Sequence, residues 1–212
     1  YQELCKCDTL ILSDILDIFS DTAIKVCEGQ QLDMNFEKQQ KVSIPQYLKM
    51  IELKTAVLLG ASLKIGAIVG GADIKSAQAL YNFGKHIGIA FQLQDDILDV
   101  YANNDKFGKF QGGDIVANKK TYLLLKAMEI AESNRYLKEE LQQWINAPHF
   151  NPNEKIEAIT RIYNFLNISG LAQKEMEKQY KMACSSLNSV PVADEKKQQL
   201  ISLADSLMVR EV

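Results

Sequence analysis

Histidine, proline and paired cysteine are scarce in this sequence, and each shortage excludes something. Two histidines in 212 residues, His86 and His149, are too few for the Cys- and His-rich ligand sets of a structural zinc site. The four cysteines (Cys5, Cys7, Cys27, Cys184) contain no Cys-x-x-Cys pair and no disulfide framework, so reduced thiols in a cytoplasmic protein are expected. Excess charge is also missing: a net charge of −3 argues against a nucleic-acid surface. Long hydrophobic runs are absent, since lysine or glycine interrupts every apolar stretch, and no charged-then-apolar leader precedes them. No membrane span is expected. With four prolines, few strand signals and long periodic segments, the expected class is all-α, folded as a single domain over residues 1–212. The chain opens at Tyr1 without Met, as a piece of a longer protein would.

What is present is helical periodicity. Over residues 8–27, Leu12, Ile15, Leu16, Phe19, Ala23 and Val26 recur at three- and four-residue steps, with Gly29 positioned to stop the helix. Ser43 and Pro45 open a second helix, which Gly70-Gly71 would end. Its apolar stripe runs through Tyr47, Ile51, Leu58, Ala61, Ile65 and Ile68, and Lys54 lies on that stripe. Either Lys54 snorkels toward water, or it faces a polar cavity holding an anion, because a buried ammonium needs a partner; Thr55 could offer a hydroxyl to the same cavity. A third helix spans 73–101, and its interior glycines, Gly84 and Gly88, imply close helix packing or room for a ligand. A glycine-rich loop over 103–117 can approach a ligand closely or move as a flap. Helices are then expected over 122–131, 136–145, 153–166, 171–187 and 193–208, with Pro148, Pro152 and Pro191 in the breaks.

The end of the third helix carries the chemistry. In Phe91-Gln92-Leu93-Gln94-Asp95-Asp96-Ile97-Leu98-Asp99, Asp95 and Asp99 lie about 40° apart around the helix axis and Asp96 about 60° beyond Asp99. Three carboxylates within little more than a turn repel one another and attract a cation. Oxygen ligands without His or Cys favour Mg²⁺ or Ca²⁺, and Mg²⁺ commonly combines one or two carboxylates with substrate phosphates. The plain alternative is a solvated acidic helix end. Gln92, one turn earlier, either extends the polar face or is a satisfied core amide. Asn118 is a candidate N-cap for the next helix, which would place Lys119 and Lys120 in its first turn against the macrodipole. A bound anion would reverse that penalty; ordinary tolerance of exposed charge is the competing explanation.

Taken in order, these elements resemble the trans-isoprenyl diphosphate synthases, also called polyprenyl synthetases. The shared elements are Gly29-Gln30-x-x-Asp33, Lys54-Thr55, Phe91-Gln92-x-x-Asp95-Asp96-x-x-Asp99, Gly108-Lys109, Gly113-Asp114 and Lys119-x-Thr121. The resemblance is close over roughly the first 125 residues and compatible beyond. It implies a helical bundle around a deep cavity, and Mg²⁺-dependent condensation of an allylic diphosphate with isopentenyl diphosphate, releasing pyrophosphate. It further implies a homodimer. By the same resemblance Asp95 is the principal metal ligand, while Asp96 and Asp99 hold the metal's waters or neighbouring side chains. Lys54, Lys109 and Lys119 contact the allylic diphosphate. Lys54, Thr55 and Gln92 line the place where an allylic cation forms, and Phe91 borders the pocket.

Two departures stand out. The family's first Asp-Asp-x-x-Asp motif and its N-terminal isopentenyl diphosphate-binding region are absent from these 212 residues, so the chain corresponds to about the C-terminal two-thirds of a member. The chain alone is then expected to be inactive, and product length is unreadable. Asn118-Lys119 also stands where many members have Gly-Lys. The alternatives are a non-catalytic helical subunit that pairs with a complete synthase, or a terpene cyclase, whose usual Asn/Asp, Ser/Thr and Glu motif Asp95-Asp96-x-x-Asp99 does not fit.

Overall fold

A computed structural model describes residues 1–102 and 111–208, and these are helical with no strand among them. After a single 3₁₀ turn at Leu4–Lys6, the helices are α1 (Thr9–Lys38), α2 (Ile44–Ile51), α3 (Val57–Val69), α4 (Ile74–Tyr101), α5 (Gly113–Val116), α6 (Tyr122–Ala131), α7 (Arg135–Asn146), α8 (Pro152–Phe165), α9 (Ile168–Asn188) and α10 (Asp194–Met208). Between α2 and α3 the chain does not break. Five residues, Glu52–Ala56, form a π-helical turn joining them into one rod.

Local chemistry accounts for where these helices start. Asp8 caps α1 by accepting from the Leu10 amide at 2.9 Å. Ser43 and Gln46 form a reciprocal capping box with Pro45 in the first turn of α2, and Asp73 caps α4 through the Ser76 amide. Each such cap contributes about 1 kcal/mol.

Helix α4 is the axis of the fold, packing most extensively against α3 and α9 and also touching the π-turn, α2, α5, α6 and α10. Its C-terminal half, with Ile89, Leu93, Ile97 and Val100, lies in the main core beside Tyr47, Ile51, Leu123 and Ile159. Its N-terminal half, with Phe83 and Ile87, joins a smaller cluster with Ala183, Leu187 and Ala204.

Three features differ from the sequence expectation, each for a tertiary reason. Helix α1 does not stop at Gly29 but continues to Lys38. Gly29 is buried where α1 crosses the π-turn, and a β-carbon there would collide with the Lys54 backbone nitrogen. The glycine is a point of close approach, not a stop. Leu58, on the expected apolar stripe, is half exposed, because the π-turn is wider than an α-turn and rotates the residues after it. Within the expected loop, Gly113–Val116 forms α5. The α4 glycines settle as packing contacts: a β-carbon on Gly84 would sit 2.8 Å from the Leu59 carbonyl oxygen, and one on Gly88 2.6 Å from the Ala56 α-carbon.

Candidate functional site

The acidic run divides its carboxylates between two environments. Asp95 and Asp99 are half-buried, whereas Asp96 is only 3% exposed. The Asp96 carboxylate turns into the core, where it accepts from the Tyr47 hydroxyl at 2.5 Å and from the Tyr122 amide at 3.0 Å. Burial pushes its pKa up to about 7 although both hydrogen bonds pull it down. Asp96 therefore ties α4 to α2 and to the start of α6. By resemblance Asp96 holds the metal's waters or neighbouring side chains; in the fold its carboxylate holds the Tyr47 hydroxyl and the Tyr122 amide. Asp99 does related work one turn on. Its carboxylate accepts from the Asp114 amide at 3.0 Å, and its carbonyl from the Gly112 amide at 2.7 Å, so α5 is docked on the last turn of α4.

That docking sets the lysine turn. Asp114 pairs with Lys119 at 3.2 Å. Burial works to lower the Lys119 pKa, but the Asp114 carboxylate outweighs it and the net direction is upward. The expected N-cap is displaced: Thr121, not Asn118, caps α6, accepting from the Leu124 amide. Lys119 and Lys120 thus precede the helix and do not sit in its first turn. Asn118 occupies the left-handed region at φ 53°, a conformation that asparagine tolerates better than most residues. Lys109 and Gly108 lie outside the described residues.

The π-turn packs against α4 and carries further candidate residues. Widened turns inside α-helices are frequent at functional sites, and this one carries both Lys54 and Thr55. Lys54 donates to Asp33 on α1 at 2.6 Å, so neither sequence reading describes it fully: it is partly buried and its partner is a carboxylate of this chain. The Thr55 hydroxyl donates to the Gln92 side-chain carbonyl at 3.2 Å, joining α4 to the π-turn one helical turn before the acidic run. Phe91 beside it is partly buried.

The donors suit a hard cation only in company. Among the described residues no three His, Cys, Asp or Glu side chains converge to hold a metal by themselves. Asp95 and Asp99, one turn apart and half-buried, present oxygens of the kind Mg²⁺ accepts when phosphate oxygens and water complete its shell. The residues present fit the ion on that condition.

Four residues beyond those assigned from sequence belong to this arrangement: Asp33, Tyr47, Asp114 and Tyr122. Asp33 and Asp114 stand in the shared motif elements without an assigned role. Tyr47 carried a signal of its own, because a tyrosine within an apolar stripe needs a partner for its hydroxyl. The Tyr122 contribution is a backbone amide, which no side-chain pattern encodes.

Comparison with known proteins identifies the family and the fold. The polyprenyl synthetase family model matches residues 1–163. A geranylgeranyl diphosphate synthase of Methanosarcina mazei is 46% identical over 114 residues, covering 54% of this chain and 35% of that protein. One from Sulfolobus acidocaldarius is 36% identical over 176 residues, 82% of this chain and 52% of that protein. A crystal structure of a geranylgeranyl pyrophosphate synthase superposes with a TM-score of 0.91 at 37% identity, covering all of this chain and 65% of that one. The fold is a helical bundle of the isoprenoid synthase type. The chain belongs to the polyprenyl synthetase family, and it spans between a third and just over half of these curated relatives.

Proposed function

We propose that this chain is part of a trans-isoprenyl diphosphate synthase that condenses an allylic diphosphate with isopentenyl diphosphate and releases pyrophosphate. The observation that carries the reading is the docking of α5 on Asp99, which sets the Lys119 ammonium beside the acidic run of α4. In this reading Asp95 is the direct Mg²⁺ ligand, Asp99 orients the lysine turn and holds metal-bound water, and Asp96 fixes the helix that carries both. Bound Mg²⁺ would neutralise the diphosphate's charge as it leaves. Lys119, with Lys109 from the segment outside the described residues, contacts the allylic diphosphate, and Lys54 turns from Asp33 to share that contact. The Thr55 hydroxyl and Gln92 carbonyl face the allylic carbon as it gains positive charge. Dipoles serve there better than a base, and the pocket that Phe91 borders in this reading would have to exclude water that would trap a cation. The working protein is a cytoplasmic homodimer in this reading. Among the described residues no helix is long and apolar enough to cross a membrane.

The test is Asp95→Ala in the full-length protein. Prenyl transfer should fall on the order of 10²–10³-fold, as on losing one preorganised charge-stabilising group, while thermal unfolding is unchanged. Near-normal transfer at limiting Mg²⁺ would overturn the assignment of Asp95.

A further inference from the structure

Lys155, on the first turn of α8, is the most deeply buried lysine among the described residues, at 1% exposure. Its ammonium has no carboxylate partner among those residues. It donates to the Asn118 side-chain oxygen at 2.7 Å and to the Val116 carbonyl at 3.3 Å, and lies 4.1 Å from the centre of the Phe150 ring. Burying a cation among neutral groups costs several kcal/mol, and an apolar side chain of the same length would pack there at lower cost. Burial accordingly pulls the Lys155 pKa down. What the amine achieves is local. Asn118 is held at both ends of its amide, its nitrogen donating to the Ile145 carbonyl at 2.9 Å and its oxygen accepting from Lys155. Its backbone is thereby pinned at φ 53°, and the next residue is Lys119, whose amide donates to the Asp114 carbonyl at 3.0 Å. A small cavity of about 10 Å³ is lined by Lys155, Asn118, Lys119, Asp114 and Asp96 among apolar side chains, so the buried cation, the lysine turn and Asp96 border one interior space.

We propose that Lys155 is a positioning residue: it locks Asn118 in the left-handed turn that aims the Lys119 ammonium at a diphosphate. The inference rests on the reading of Lys119 as a diphosphate contact. It extends the site to α8, some 60 residues beyond the acidic run in sequence.

The experiment is a double-mutant cycle in the full-length synthase with Lys155→Met, Lys119→Ala and the combination, measuring KM and kcat for the allylic diphosphate together with thermal unfolding. Lys155→Met should raise KM about tenfold, the low end of what loss of an outer-shell partner costs, and change kcat less than about threefold. Added to Lys119→Ala, it should raise KM no further, because a residue acting through another loses its effect when that other is gone. If Lys155→Met fails to fold, Lys155→Leu replaces it in the cycle. Leucine also removes the donor to Asn118 while filling the apolar part of the site, and the same KM pattern is expected. An unchanged KM with lowered unfolding temperature, or a tenfold rise that persists without Lys119, overturns the proposal. If Lys119→Ala alone leaves KM unchanged, the diphosphate role of Lys119 fails first and the inference falls with it.

Discussion

Asp96 is held by two donors in a place where its charge is unwelcome, and desolvation raises its pKa from 3.8 to about 7. Between those two values the folded chain binds a proton that the unfolded chain has released. The stability this adds is fully present below pH 3.8 and is lost as pH rises through about 7. Asp96→Asn keeps an acceptor for Tyr47 and Tyr122 but cannot ionise, so it should flatten the fall in urea midpoint between pH 5 and pH 8. An undiminished slope would show that another group is responsible. Tyr47→Phe separates the two protonation states differently. At pH 8 it removes a hydrogen bond to a buried charge, a loss of about 1.5–3 kcal/mol, and at pH 5 one between neutral groups, nearer 1 kcal/mol. Equal losses at the two pH values would contradict the ionised pairing. The sequence shows that the Tyr47 hydroxyl needs a partner but not that Asp96 is that partner, because the partners lie 49 and 26 residues from Asp96 and one of them is a backbone amide.

Among the elements, glycines decide how closely the helices approach. Gly88→Ala should destabilise the fold by about 1–3 kcal/mol through overpacking against Ala56, despite a gain of up to about 1 kcal/mol in helix propensity. Gly66, inside α3 with nothing within 4 Å of a built β-carbon, is the control. Gly66→Ala should stabilise by about 0.5–1 kcal/mol, and thermal unfolding of the two variants should move in opposite directions. The contrast also marks what the sequence could convey. Caps at Ser43 and Asp73 bind their own first turns, so those starts were readable from spacing alone. Gly29, Gly84 and Gly88 owe their role to a neighbouring helix; a local rule reads the first as a stop and leaves the other two ambiguous. The acidic run and Lys54-Thr55 were visible as motifs. The placement of Lys119 was not, because its turn depends on Asn118, Ile145 and Lys155 meeting in space.

For the whole molecule, the 212-residue chain contains a single Asp-Asp-x-x-Asp run, so a metal–diphosphate complex would be gripped from one side and screened by water on the other. Assayed alone with radiolabelled isopentenyl diphosphate and an allylic diphosphate, it should give no measurable transfer. Robust turnover would mean that one acidic run suffices.

The π-turn at Glu52–Ala56 has a consequence for how its amides meet solvent. Alone, such a turn would relax readily to α-helical spacing, and its protons would exchange through small, frequent openings. Here Gly29 of α1 presses on the Lys54 backbone from one side and Gly88 of α4 on Ala56 from the other, so relaxation requires α1 and α4 to move apart first. Deuterium uptake at residues 52–57 should therefore match the slowest amides of α4, exchanging only when the chain unfolds as a whole, and this irregular turn should be among the last places to take up the label.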